Sequence, residues 1–158
     1  MLIRPEEASD ASAITAVIER AFAGAAHTSH TEQFIVNALR AAGALSVSRV
    51  AEDGGRVAGH VAFSPVAISS GASDWYGLGP LAVDPEFQSR GIGAALVHAG
   101  IARLHTLSAA GCVVLGDPAY YGRFGFKVIP DLVYPGPPPE YFMARAISGS
   151  PPRGEVAF

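Results

Sequence analysis

The segment from Gln88 to Ala94, Gln-Ser-Arg-Gly-Ile-Gly-Ala, holds residue types able to grip a phosphate. It follows an apolar strand end, Leu81-Ala82-Val83, which Asp84-Pro85 stops, and it opens a run with helical spacing. A strand feeding a glycine-rich turn at a helix start gathers unpaired backbone N–H groups around one point. The positive end of the helix dipole stands behind them. Gly91 and Gly93 put no side chain between that point and an anion, and Arg90 adds a fixed positive charge. The chemistry this allows is a diphosphate cradle over Gln88, Ser89, Arg90, Gly91, Ile92, Gly93 and Ala94. A tight turn is the plainer reading of the same two glycines. Better-known phosphate loops fit badly: the dinucleotide fingerprint needs a third glycine where Leu96 stands, and the triphosphate loop needs an absent Lys-Ser/Thr pair.

Other reactive side chains are sparse. The single cysteine, Cys112, excludes an internal disulfide and a cysteine-based zinc cluster. It lies in the apolar run Cys112-Val113-Val114-Leu115 and reads as a buried structural thiol rather than a nucleophile. With 158 residues, 49% hydrophobic and 16% charged, the chain suits one globular domain over 1–158, with 148–158 as a tail. A net charge of −3 and one lysine, Lys127, argue against a broad nucleic-acid-binding face. No stretch of 18 apolar residues suits a membrane span, and the first residues lack a signal peptide's apolar core. The default expectation is therefore a cytoplasmic protein.

The elements that must position the cradle are read from periodicity. Leu2-Ile3-Arg4 predicts a short strand, and Ser9 or Asp10 caps a helix to about Phe22 with Ile14, Val17, Ile18, Ala21 and Phe22 as its stripe. Ser29 with Glu32 makes a capping-box signature before a second helix, which turns Phe34, Ile35, Ala38 and Leu39 inward and stops at Gly43. Leu45 to Glu52 and Arg56 to Pro65 form a hairpin around Asp53-Gly54-Gly55, with Val57, Val61 and Phe63 on one face and His60 and Ser64 on the other. Trp75 to Val83 is the next strand. Gly77, Gly79 and Pro80 inside it predict a bulge or splay.

The helix after the cradle, Gly91 to Thr106, buries Ile92, Ala95, Leu96, Ala99 and Ala102. Cys112 to Leu115 then reads as a strand covered on both faces, parallel to the one before the cradle. Gly116-Asp117-Pro118 turns into a short helix ending at Gly125. Lys127 to Ile129 begins a strand, Pro130 to Glu140 with its five prolines is a stiff loop, and Tyr141 to Ile147 closes the sheet. The tail packs loosely, with Val156 and Phe158 available to cover an edge.

Two blocks carry a resemblance. Leu81-Ala82-Val83-x-Pro85 followed by Gln88 to Ala94 resembles the acyl-CoA-binding segment of the GNAT-superfamily N-acetyltransferases. Ala119-Tyr120-Tyr121-Gly122-Arg123-Phe124-Gly125-Phe126 is similar to that family's tyrosine-bearing short helix. The wording Gly59 to Ser64, Leu78 to Leu81 and Gly116 to Tyr121 looks most like its YhbS-like branch of predicted acetyltransferases. The resemblance covers nearly the whole chain. It implies an α/β fold: a mixed, mostly antiparallel sheet splayed at its central strands and flanked by helices. It also implies acetyl transfer from acetyl-CoA to a primary amine of a small molecule or peptide, by direct attack in a ternary complex. Dimerisation is common in that family, and an edge strand near the C-terminus would support it.

By the same resemblance Leu81, Ala82 and Val83 join the cofactor-binding residues, a backbone N–H there serving the thioester oxygen, and Tyr121 is the general acid for the leaving thiolate. Tyr120 then packs against the sheet. The base is missing. An alkylammonium of pKa near 10.4 is neutral in only about one molecule in 2,500 at pH 7, a cost of about 4.6 kcal/mol. Many relatives place a glutamate where this chain has Gly77. His60, Ser64, His27, His30 and Glu32 are weak substitutes, and His98 and His105 ride the helix behind the cradle. A water chain or a less basic amine would also serve. Trp75 lines an acceptor pocket or fills the core. The vacant carboxylate position leaves open a non-catalytic acyl-CoA-sensing module, and pocket depth would decide for a longer acyl chain.

Overall fold

The computed structural model describes residues 1–25 and 30–158. The chain gathers into two compact units, Met1–Phe63 with Gly79–Ala102, and Ser64–Leu78 with Arg103–Phe158. No helix among the described residues is long and apolar enough to cross a membrane.

In the first unit, strands β1 (Leu2–Pro5), β2 (Val47–Asp53) and β3 (Arg56–Pro65) pair antiparallel in sequence order. The Gly54 and Gly55 turn joining β2 to β3 has positive φ at both residues (56° and 80°), as a tight hairpin requires. The register slips between Ala51 and Glu52, so β3 carries one extra residue. That slip reverses the face of Val57. It packs with Val50 and Ala62 under helix α1 (Ala11–Phe22) and helix α2 (Glu32–Ala41), away from the side predicted for it beside Phe63. Phe63 lies instead against Gly100 of helix α3 (Ile92–Thr106).

Helix α1 buries Ile14, Val17 and Ile18, as its spacing predicts. Its cap differs. Asp10 stands at the N-cap but turns its carboxylate back to the Glu7 N–H (2.7 Å) and to Arg4 (2.7 and 3.0 Å), after one 3₁₀ turn over Ala8–Asp10. Helix α2 buries Gln33 and Val36, while Phe34 is 62% and Ile35 46% exposed. The inward stripe was predicted there one step out of phase. Arg40 fixes the rotation from the last turn, forking onto Glu6 at 2.9 and 2.7 Å. The predicted capping residue Ser29 lies outside the described residues. Along α3 the large buried side chains are Ile92, Leu96, Val97, Ile101 and Leu104, whereas of the predicted alanines Ala95 and Ala99 are half-buried and Ala102 is exposed.

Strand β5 (Trp75–Val83) begins in the second unit, where its Trp75–Leu78 stretch pairs parallel with β6 (Gly111–Leu115), and β6 pairs antiparallel with β8 (Phe142–Ala146). The sheet is thus mixed and flanked by helices. The β5–β6 register runs from Trp75 to Leu78 and goes no further, ending where Pro80 has no N–H to donate. Trp75 is buried with Val113, Phe142 and Ala144, so it fills the core. A second small sheet orders β4 (Ala67–Ile68), β9 (Gly154–Ala157) and β7 (Leu132–Val133).

Three expectations fail here. Lys127–Ile129 contributes one bridge, Lys127 to Ala144, rather than a strand. The proline loop contains β7. The tail is a paired strand with Val156 buried, because its backbone finds partners on both sides, antiparallel in β4 and parallel in β7.

Candidate active site

The predicted groups fall in both units, the cradle in the first and Tyr121 in the second. Asp84 ends β5. Its side chain accepts the Glu86 N–H at 3.0 Å and its carbonyl the Phe87 N–H at 2.8 Å, closing one 3₁₀ turn over Pro85–Phe87. Only 2% exposed, Asp84 is clamped by Arg20 of α1, whose Nε and Nη2 reach Oδ2 at 2.8 and 2.7 Å. Burial acts to raise the pKa of this carboxyl. The Glu86 N–H and the Arg20 guanidinium outweigh it, leaving the pKa below the ordinary carboxylate range. The strand exit is therefore held by a buried, ionised cap.

Beyond it, Gln88 Nε2 donates to the Val83 carbonyl at 3.2 Å, tying the cradle back to β5. Ser89 (φ 64°) and Gly91 (φ 80°) turn the chain through left-handed backbone, where a glycine costs nothing. The first helical bond runs from Ala95 N–H to the Gly91 carbonyl at 3.0 Å. Ahead of it the N–H groups of Gly91, Ile92, Gly93 and Ala94 have no intrahelical acceptor, and among the described residues no side chain caps them. Nothing lies within 4 Å of where a Gly91 Cβ would stand, so the approach is open. Arg90 is exposed, its guanidinium carbon 5.2 Å from the Phe87 ring centroid, with Arg56 at 5.4 Å from the same ring. Ile92 and Ala82 are buried in the unit's interior. What they can offer a ligand is backbone, not side chain.

In the second unit, Asp117 caps helix α4 (Pro118–Tyr121) by accepting the Ala119 N–H at 3.0 Å. The chain then makes a 3₁₀ turn over Gly122–Phe124 and reverses at Gly125 (φ 86°). Tyr121 meets Tyr120 edge-on at 5.0 Å and Phe126 at 6.1 Å between ring centroids. A Cβ at Gly116 would overlap the Tyr121 ring. Burial raises the phenol's pKa above its ordinary value, with Tyr120 and Cys112 adding to the rise. Tyr121 therefore keeps its proton throughout the neutral range. Tyr120 packs between Tyr121 and Phe124 while Arg123 lies over its ring at 4.6 Å. Cys112 is fully buried, and burial pushes its thiol up, as an inert structural cysteine requires.

The substitutes for a base are less available. His60 is fully buried with Nε2 2.7 Å from Ser48 Oγ, which itself donates to Glu6 at 2.8 Å. Burial lowers its pKa to about 4, although Glu6 pulls the other way. It is a structural, neutral imidazole. Ser64 is buried, His98 and His105 are exposed on α3, and His30 precedes α2 with φ 57°. His27 lies outside the described residues. Sequence reasoning missed the Arg20–Asp84 clamp and the Gly116 seat, since neither partner is adjacent in the chain to the residue it holds.

Comparison with known proteins agrees with this geometry. The family described as Acetyltransferase (GNAT) domain matches residues 44–128. The N-acetyltransferase YhbS of Escherichia coli K12 is 42% identical over 129 residues, covering 81% of this chain and 74% of that protein. A crystal structure of a GNAT family acetyltransferase from Brucella melitensis in complex with acetyl-CoA superimposes with a TM-score of 0.89 at 46% identity, covering 99% of this chain and 94% of the other. YhbS from Escherichia coli in complex with CoA gives a TM-score of 0.88 at 36% identity, over 98% of this chain and 87% of the other.

Proposed function

The chain belongs to the GNAT acetyltransferase family, and from that premise we propose that it transfers the acetyl group of acetyl-CoA directly to a primary amine of a small molecule or peptide. The observation that carries this reading is the row of amides from Gly91 to Ala94 that no side chain among the described residues caps, open at Gly91 and backed by the dipole of a 15-residue helix. Those amides, with Gln88, Ser89 and Arg90, bind the CoA diphosphate. Leu81, Ala82 and Val83 offer backbone N–H and C=O groups to the pantetheine arm and thioester. The solved complexes of the Brucella protein and of YhbS, with acetyl-CoA and CoA respectively, support the choice of ligand.

In the transfer, the amine nitrogen attacks the thioester carbonyl carbon, the C–S bond breaks, and charge collects first on the carbonyl oxygen and then on sulfur. A backbone N–H of Leu81–Val83 stabilises the oxygen. Tyr121 serves the sulfur. A thiol has a pKa near 8.5, below that of a phenol, and burial raises Tyr121 further. The phenol therefore acts chiefly as a hydrogen-bond donor to the developing thiolate, full proton transfer being uphill. The amine loses its proton to solvent or a water chain, since position 77 is glycine and His60 is engaged with Ser48.

Calorimetry with acetyl-CoA and thiol release with an amine panel test the reading. Wild type binds and turns over, and Tyr121→Phe binds acetyl-CoA equally while kcat falls about 100-fold. Binding with no thiol release from any amine would instead identify a sensing module, and no binding at all would end both readings.

A further inference from the structure

Gly77 sits on β5 opposite Val113 of β6. A Cβ at this position would stand 2.5 Å from Cε1 and 2.9 Å from Cδ1 of Phe158, and 3.1 Å from Cγ1 of Val66. Contacts under about 3 Å are not met by real Cβ atoms, so the Phe158 ring fills the space that any side chain at position 77 would need. The ring is held there. β9, directly before it, is paired on both sides, and its Val156 is buried. Phe158 meets Tyr134 edge-on at 5.1 Å and Phe142 at 6.5 Å. Even so, Phe158 remains 57% exposed. Behind it, Tyr134 and Phe142 line an apolar cavity of about 110 Å³ with Val128, Ile129, Leu132 and Pro139. No Lys, Arg, Asp, Glu or His lines it.

We propose that Phe158, backed by Tyr134 and Phe142, is the acceptor-side wall at Gly77 and selects amines carrying an aromatic or branched apolar group. The inference rests on the acetyltransferase reading, which puts the reacting thioester on the same strand, at Leu81–Val83. A side chain at position 77 would offer an incoming amine its own charge or hydrogen bond. A glycine covered by a half-exposed phenyl ring offers apolar surface instead. An acceptor gains there by burying apolar area, and binding energy from its non-reacting part can hold the nitrogen in line. A polyamine would find no counter-charge on this wall.

The test uses 2-phenylethylamine and ethylamine, titrated by calorimetry into the full chain, free and saturated with CoA. Wild type binds 2-phenylethylamine about tenfold tighter than ethylamine or better, as differential burial of a ring allows. Phe158→Ala removes most of that ratio, and Phe158→Leu, which keeps an apolar cover over the edge, retains part of it. Acetyl-CoA affinity stays as in wild type for both variants. Equal affinity for the two amines in wild type, or an undiminished ratio in Phe158→Ala, overturns the proposal. Loss of the acetyltransferase reading would show separately, as failure of acetyl-CoA itself to bind, while the amine titration into free protein still reports on the wall.

Discussion

A ring lying against a bare α-carbon has few positions open to it, and Tyr121 lies that way against Gly116. Its edge-on neighbours Tyr120 and Phe126 close the other sides. The hydroxyl proposed to meet the thiolate is therefore placed by packing, with no hydrogen bond to it among the described residues. Gly116→Ala should push the ring aside by a few tenths of an ångström or more. We expect kcat to fall about tenfold or more, since small misplacements near reacting atoms are costly, with acetyl-CoA affinity unchanged because the proposed cradle lies on other residues. Steady-state kinetics alongside calorimetry checks this. Full activity in Gly116→Ala would mean that the phenol's position does not matter, and the role given to Tyr121 would fall with it.

The turn between β5 and α3 depends on a carboxylate that water barely reaches. Asp84 ties the Glu86 N–H, and through Arg20 it ties helix α1 to the strand exit. Arg20→Ala leaves that charge with its backbone donor and only the weaker pull of Arg56. Because Arg20 is itself about half exposed, the loss should be smaller than for a fully buried pair, about 2 kcal/mol, read as a lower denaturant midpoint at unchanged slope. Acetyl-CoA binding should weaken as well, as the amides lose their fixed approach. A stability change under 0.5 kcal/mol would show that the Glu86 N–H alone suffices.

The same elements show what the sequence can and cannot disclose. β5, α1, α3 and the Gln88–Ala94 turn were legible because their signals are local: an apolar stripe, a strand stop, glycines at set offsets. The face of α2 was not. Its rotation is decided by Arg40 reaching Glu6, 34 positions away. The face of Val57 turned on a one-residue slip that alternation alone cannot reveal. β9 read as loose tail because its partners β4 and β7 are two residues each, too short to announce themselves. For the proposed site, Tyr121 is reached only through resemblance, while the ring that covers Gly77 comes from 81 positions further along the chain.

Among the described residues, the charged groups that water cannot easily reach gather in the first unit and predict how stability responds to acid. Arg4 grips Asp10 and reaches Glu52 at 3.2 Å; Arg40 grips Glu6; Ser48 bridges Glu6 to His60. His60 Nδ1 is buried with no hydrogen-bond partner among the described residues, so a proton added there would be a charge without an acceptor. The folded state holds the His60 pKa at about 4, below the 6.5 of an unperturbed imidazole. Between those values the unfolded chain takes up a proton that the folded one refuses, so stability rises with pH. The His60 contribution is complete above 6.5 and is lost as pH falls toward 4. From pH 7 to pH 5 it amounts to about 2 kcal/mol. Glu6, lowered mainly by its hydrogen bond to Arg40, and Asp10, lowered mainly by Arg4, act in the same direction but lower down, as pH drops below about 4.5 and 3.8 respectively. Urea unfolding at pH 7, 6 and 5 should therefore show a decline in wild type that is much flatter in His60→Gln, with the two proteins converging in pH response below 4.5, where the carboxylates take over. Parallel slopes between pH 7 and 5 would mean that His60 takes its proton in the folded state as readily as in the unfolded one, and that the Glu6–Ser48–His60 chain is open to water.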